Sequence, residues 1–72
     1  MNGPVVVNRI RELRLARADF TQAQLAASCG VTRQTIIALE AGRYAPSLEL
    51  AFKLAHALGR TLDEVFQYAE KK

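Results

Sequence analysis

The chain has 72 residues, a formal net charge of +3 and a hydrophobic content of 50%. This length fits one small domain, here residues 1–72, near the lower limit for folding without disulfides or metals. The single cysteine, Cys29, excludes an internal disulfide, so we expect a reducing cytoplasm as its compartment and a small core residue as its role. No apolar run is long enough to cross a bilayer, and no signal peptide is visible.

The positive charge is unevenly distributed along the chain. Residues 1–44 carry six arginines against three acidic residues, whereas residues 45–72 carry four basic and four acidic residues. Arginine binds phosphate and guanine better than lysine does, so this pattern favours a polyanionic partner. A solvated basic face gives the same pattern, and charge alone does not separate the two interpretations.

Caps and apolar spacing predict three helices in the first half of the chain. The first runs over about 8–17, with Asn8 as its cap. A capping box, Thr21-Gln22-Ala23-Gln24, opens the second helix, which ends at Gly30. The third helix begins at a new cap, Thr32, and ends at Gly42.

Two further helices and two β-prone segments complete the prediction. Ser47 caps a fourth helix that ends at Gly59, and the inward residues predicted for it are Leu48, Ala51, Leu54, Ala55 and Leu58. A second capping box, residues 61–64, opens a short fifth helix. Residues 5–7 and 66–68 are β-prone and could pair as a two-stranded ribbon, while we expect residues 69–72 to fray. A lone ribbon is marginal in water, so it needs packing support, which a second subunit could give.

Two capped helices joined through Gly30 must cross at a steep angle, which is the helix-turn-helix unit. The segment TQAQLAASCGVTRQTIIALE, residues 21–40, resembles the phage Cro/CI repressor (Xre) family. The following AGRYAPSL, residues 41–48, is similar to the segment that follows the base-reading helix in that family, which corresponds to the third helix here and is called the reading helix below. The resemblance spans about residues 8–66 and implies an all-α, five-helix λ-repressor-like DNA-binding domain with a short terminal ribbon. The members that the chain resembles most are the small cytolysin-type repressors, which pair terminal strands.

The third helix, residues 32–41, has two different faces when residues advance by about 100° each. Its core side carries Thr35, Ile36 and Leu39, and its other side carries Arg33, Gln34, Ile37, Ala38 and Ala41. Arginine can bond guanine, glutamine can bond adenine, and apolar groups pack on thymine methyls. We therefore expect Arg33 and Gln34 to read bases in the major groove, with Ile37 or Ala38 touching a thymine methyl. A subunit contact or plain exposure is the alternative for Ile37, and many relatives have a longer polar residue in place of Ala38.

A second group of residues is predicted to hold the DNA backbone. The resemblance implies a phosphate contact for Gln22, because the family commonly uses the first residue of the second helix. Arg43, after the reading helix, is the strongest candidate on charge. Tyr44 could bind a phosphate or pack its ring on the core. Thr32 and Ser47 stand at helix starts, which favour phosphates, although capping alone explains Thr32.

The resemblance also implies a structural ion pair. The family often pairs an acid at the position of Glu40 with an arginine of the first helix, which is Arg14 in this chain. Such a bridge would fix the first helix to the third.

We expect a homodimer on a palindromic operator. One reading helix contacts too few base pairs for genomic selectivity, and a twofold dimer places half-sites about 34 Å apart. The predicted interface is the C-terminal part, with Leu62, Val65 and Phe66 as candidates, together with the ribbon. Repression by blocking polymerase is the simplest mechanism, and activation stays open.

Other classes of function fit the sequence less well. We expect that the protein is not an enzyme and binds no metal or cofactor. His56 is the lone histidine and has no ligand set around it in the sequence, and no catalytic motif is present. We expect no ligand-sensing domain in a chain of this length, and no helix combines a basic face with a broad apolar one as membrane binding requires. A protein-interaction module would lose the basic groove face, which is present here. An antitoxin-like regulator, which binds DNA and a protein partner together, usually needs an additional segment.

Overall fold

The computed structural model describes residues 4–70 and contains five helices between two strands. The elements in chain order are β1 (Pro4–Asn8), α1 (Ile10–Leu15), α2 (Gln22–Cys29), α3 (Arg33–Glu40), α4 (Leu48–Leu58), α5 (Leu62–Val65) and β2 (Phe66–Glu70). The two strands pair antiparallel, with Val6 opposite Tyr68 and Asn8 opposite Phe66. The predicted fold, helical with a two-stranded terminal ribbon, is confirmed.

Hydroxyl side chains begin four of the five helices. Each accepts a hydrogen bond from a backbone N–H in the first turn, and these caps are Thr21, Thr32, Ser47 and Thr61. At Thr21 and Thr61 the bond is reciprocal, since the side chains of Gln24 and Glu64 accept from the cap's own N–H. Both predicted capping boxes are thus present, and they fix where α2 and α5 start.

Glycines at positive φ end the two helices of the helix-turn-helix. Gly30 has a φ of 70°, and beyond it the N–H of Val31 donates to the Ala26 carbonyl at 3.0 Å. At the end of α3, Gly42 has a φ of 73°, and the N–H of Arg43 donates to the Ala38 carbonyl at 3.0 Å. This is the Schellman arrangement, which satisfies carbonyls that a helix end leaves open and turns the chain sharply.

All five helices contribute to one core. Its fully buried large side chains are Ile10, Leu25, Ile36, Leu39, Leu54 and Val65. Cys29 is buried among them, as predicted, and burial raises the pKa of its thiol. No helix within residues 4–70 is long and apolar enough to cross a membrane.

Three sequence-based predictions about element boundaries and packing are wrong. The first helix is shorter than 8–17 because Asn8 belongs to β1, although its Oδ1 still accepts from the N–H of Ile10 at 3.1 Å. Leu48, predicted to point inward, is 67% exposed, because it starts α4 at the rim of the core. Ala69 and Glu70, predicted to fray, are paired in β2, while Lys71 and Lys72 lie outside the described residues.

Candidate nucleic-acid interface

The two faces of α3 differ as their composition predicts. Ile36 and Leu39 are fully buried. On the opposite side Arg33 and Gln34 are exposed, and Ile37, like its neighbour Ala38, is half-buried. The helix is therefore held firmly from behind while an arginine and a glutamine project from its first turn.

The residues predicted to contact the DNA backbone lie at the starts of α2, α3 and α4 and in the segment that follows α3. Thr32, Arg43 and Ser47 are exposed, and Thr32 and Ser47 each also accept a backbone N–H as helix caps. Tyr44 is 46% exposed, so its ring is not part of the core. Gln22 differs from the others, because it is half-buried and its side chain is already engaged.

Arg14 and Glu40 form the ion pair that the family resemblance implies. The Nε and Nη2 atoms of Arg14 donate to the two carboxylate oxygens of Glu40 at 2.7 and 3.3 Å. A third N–H of the guanidinium donates to the Phe20 carbonyl at 3.1 Å. Within the described residues no buried side-chain nitrogen or oxygen lacks a hydrogen-bond partner. This pair therefore ties α1, the loop before α2, and α3 together without leaving a polar group unsatisfied.

The bond between Gln22 and Glu40 was not predicted from the sequence. Nε2 of Gln22 donates to Oε1 of Glu40 at 3.0 Å, so the first residue of α2 joins the buried pair. Only the tertiary placement brings the two residues together, since they are 18 positions apart and no spacing pattern links them. The position that was assigned to a phosphate thus also has a structural partner.

The arginines of the basic half fall into two groups. Arg9 pairs with Glu12, Arg14 with Glu40, and Arg17 donates to the Ala57 carbonyl at 2.6 Å, with its guanidinium 4.5 Å from the centre of the Phe20 ring. The three remaining arginines, all exposed, are Arg11, Arg33 and Arg43. The ion pairs of residues 4–70 use Arg9, Arg14, Lys53 and Arg60 as their cations, so Arg33 and Arg43 carry charge that these pairs do not neutralise.

The predicted interface residues separate into buried and accessible ones. Val65 has no exposed surface, so its side chain belongs to the core and is removed from the set of interface candidates. Leu62 and Phe66 are half-buried and line shallow depressions that also involve Val6, Leu48 and Tyr68. We call the surface formed by Val6, Leu48, Leu62, Phe66 and Tyr68 the apolar face.

Metal-binding chemistry has no cluster to support it in the part of the chain that the structure describes. No group of three His, Cys, Asp or Glu side chains comes together within residues 4–70. His56 is exposed on α4, in agreement with the expectation of a surface residue.

Comparisons with known proteins place the fold in a family. Residues 10–65 match the HTH_3 helix-turn-helix family. The chain is 46% identical over 63 residues to an uncharacterized HTH-type transcriptional regulator of Methanocaldococcus jannaschii, covering 88% of this chain and 94% of that protein. It is 57% identical over 58 residues to another from Methanothermobacter thermautotrophicus, covering 79% of this chain and 83% of that protein.

A bacterial relative and a solved structure agree with these matches. YgzD of Bacillus subtilis, an uncharacterized HTH-type transcriptional regulator, is 44% identical over 64 residues, which cover 89% of this chain and 96% of that protein. The crystal structure of a candidate DNA-binding protein from Bacteroides fragilis superposes with a TM-score of 0.76 at 27% identity, covering 88% of this chain and all of that one. The chain therefore belongs to the HTH_3 family of Xre-type helix-turn-helix transcriptional regulators.

Proposed function

We propose that this protein is a sequence-specific DNA-binding regulator that lays α3 in the major groove of its operator. The observation that carries the proposal is the exposure of Arg33 and Gln34 on a helix whose opposite face is fully buried. Binding a base edge requires donors and acceptors held at a fixed angle, and a helix anchored in the core provides that.

The chemistry of the exposed side chains supports a role for each of them on the DNA. Arg33 is suited to the two acceptors of guanine, and Gln34 to the donor and acceptor of adenine. Ile37 and Ala38, half-buried one turn further along, offer apolar contact to a thymine methyl. Their smaller exposure leaves base recognition mainly to the first turn of α3.

Phosphate contacts would position this helix without reading sequence. Arg43 and Tyr44 follow α3, and Thr32 and Ser47 stand at the starts of α3 and α4. Gln22 can serve DNA and protein together, because its amide has two N–H groups and one of them is used by Glu40.

The proposed active form is a homodimer that associates through the apolar face. Tyr68 is 74% exposed, Leu48 67% and Val6 49%, and Val6 and Tyr68 are direct neighbours across the ribbon. Exposed apolar side chains gathered on one surface are typical of an interaction site. A twofold dimer would present two α3 helices to one side of the DNA and so favour a palindromic operator, where it would act as a repressor by excluding polymerase.

Selection from a random duplex library at about 150 mM salt tests base reading. Wild type is compared with Gln34→Ala and Arg33→Ala, and Arg60→Ala is the control, since it removes the same charge from an exposed arginine outside the helix-turn-helix. We expect a twofold-symmetric site, and each α3 variant should lose about 1–3 kcal/mol at one base position. Arg60→Ala should select the same site as wild type.

Sedimentation of the free protein tests the homodimer. Tyr68→Lys should shift the protein to monomer and weaken operator binding, whereas Phe52→Lys, which alters an exposed aromatic residue of α4 outside the apolar face, should leave the dimer intact.

If the library selection enriches no symmetric site and binding disappears steeply with salt, only phosphate attraction remains. The protein-interaction module or the antitoxin-like regulator would then be the better interpretation, and a protein partner should be sought.

A further inference from the structure

Asn8 lies where the ribbon, α1 and α3 meet. Its backbone ends β1 opposite Phe66. Its side-chain oxygen accepts from the N–H of Ile10 at 3.1 Å, at the start of α1. Its side-chain nitrogen donates to the carbonyl of Leu39 at 2.9 Å, in the last turn of α3. One half-buried carboxamide therefore connects a strand to two helices.

The carbonyl that Asn8 binds belongs to the end of the reading helix. Carbonyls in a last helical turn have no partner within the helix. The Schellman turn after α3 provides a donor for one of these carbonyls, because the N–H of Gly42 donates to the carbonyl of Leu39 at 3.0 Å. The second lone pair of the Leu39 carbonyl is taken by Asn8, from 31 residues earlier in the chain. The neighbouring Glu40 is held by Arg14, which ties the same turn to α1 but not to the ribbon.

We propose that Asn8 is a positioning residue that fixes the reading helix relative to the apolar face. This inference rests on the proposed function as a dimeric regulator. Two positions before Asn8 in the same strand, Val6 lies on the apolar face, and Phe66 and Tyr68 of that face are in the paired strand. The Asn8–Leu39 bond therefore links the surface that joins two copies to the helix that reads DNA.

The consequence of this link is control of half-site spacing. In a twofold dimer the separation of the two reading helices sets the spacing of the half-sites. If α3 could shift relative to the ribbon, that separation would vary and operators of several spacings would bind with similar affinity. A bond that only stabilises the fold would not affect the preference among spacings, and this difference can be measured.

The test uses Asn8→Asp with Gln67→Ala as its matched control. Aspartate has the same shape and keeps an oxygen for the N–H of Ile10, but it has no donor for Leu39 and brings negative charge to a helix C-terminus. Gln67 is also a ribbon carboxamide bound to a helix end, because its Nε2 donates to the carbonyls of Asp63 and Glu64 at 3.0 and 2.9 Å. It does not bind α3, so it reports the general effect of losing such a bond.

The first measurement is amide hydrogen exchange in the free protein. The N–H groups of Ala41, Gly42 and Arg43 all bond to carbonyls of the last turn of α3. In Asn8→Asp we expect them to exchange at least ten times faster, relative to the amides of α4, than in wild type. In Gln67→Ala their relative rates should stay within a factor of two.

The second measurement is the affinity for a series of operators that differ only in half-site spacing, at a temperature where circular dichroism shows each variant folded. Wild type and Gln67→Ala should prefer one spacing by at least tenfold over spacings changed by one or two base pairs. In Asn8→Asp this preference should fall to threefold or less, with the monomer–dimer equilibrium unchanged within a factor of three. Asn8→Ser, whose hydroxyl is too short to reach Leu39, takes its place if the aspartate variant does not fold.

Each contrary outcome is distinct. A spacing preference in the Asn8 variant equal to wild type, or unchanged exchange at the end of α3, overturns the positioning role and leaves Asn8 as an ordinary structural residue. If wild type itself selects no symmetric site, the proposed function fails before any variant is considered, and the inference about spacing fails with it.

Discussion

Arg14 and Glu40 join α1 to α3 through a bidentate pair that is almost closed to solvent. The shorter contact is 2.7 Å, and the side chains are 10% and 5% exposed. Charged groups this far from water are stable only with full pairing, and the additional bonds from Arg14 to Phe20 and from Gln22 to Glu40 complete that pairing.

Removing one partner of this pair should therefore be severe. Glu40→Ala leaves the guanidinium of Arg14 buried without its counter-ion, which costs about 3–5 kcal/mol of the free energy of unfolding. Urea denaturation followed by circular dichroism measures that loss. Glu12→Ala is the matched control, because the Arg9–Glu12 pair is exposed, and solvent screening leaves such a pair little effect on stability. A Glu40→Ala protein that melts like wild type but no longer binds DNA would move Glu40 from a structural to a DNA-contacting role.

Gln22→Ala separates the structural role of this residue from its proposed contact with DNA. Loss of the bond to Glu40 should lower the free energy of unfolding by about 0.5–1.5 kcal/mol in the absence of DNA. Ser28→Ala, in the same helix, removes a hydroxyl that donates only to the Gln24 carbonyl of its own helix and should change stability by less. If Gln22→Ala leaves unfolding unchanged but weakens DNA binding, the side chain acts on phosphate alone.

Local sequence signals were sufficient for most of the fold. Thr21, Gly30 and Thr32 set the helix-turn-helix through caps and a positive φ, which depend on residues within one or two turns. The same holds for the exposure of Arg33 and Gln34, which follows from helical periodicity once the core side is known.

The features that were missed depend on contacts between distant parts of the chain. Periodicity put Leu48 on the core side of α4, but it cannot show that the core ends before the first turn of that helix. Val65 and Phe66 are adjacent in sequence, yet one is fully buried and the other reaches the apolar face, because α5 gives way to β2 between them. The two bonds of Asn8 and the bond from Gln22 to Glu40 likewise require the assembled helices.

Asp19 is a position where the sequence and the backbone conformation conflict. It has a φ of 63° in the loop between α1 and α2, a left-handed conformation that costs a residue with a Cβ about 1 kcal/mol relative to glycine. Asp19→Gly should therefore raise the free energy of unfolding in urea denaturation, but by less than about 1 kcal/mol, because the added entropy of the unfolded chain offsets part of the gain. Gly30→Ala makes the opposite change at a φ of 70°. It should lower the free energy of unfolding through backbone strain, although an added Cβ would meet no atom within 4 Å. Destabilisation by Asp19→Gly would show that the Asp19 side chain contributes more than its backbone conformation costs.

The start of α5 should make stability depend on acid pH. The backbone N–H of Thr61 donates to Glu64 and holds the pKa of that carboxyl below its ordinary value of 4.5, and the Thr61 hydroxyl lowers the pKa of Asp63 in the same way. A carboxyl with a lower pKa in the folded state stabilises the protein above the unfolded pKa and loses that contribution as pH falls through the folded pKa.

The melting temperature of wild type should thus be level near neutrality and should decrease as the pH falls below about 4.5. Glu64→Gln keeps an oxygen for Thr61 but does not titrate, so it should melt lower than wild type at pH 7 and fall less on acidification. It should approach wild type once the pH is below the folded-state pKa of Glu64, where the side chain at position 64 is neutral in both proteins. Parallel melting profiles for the two proteins over the whole range would show that the charge of Glu64 contributes nothing to the cap of α5.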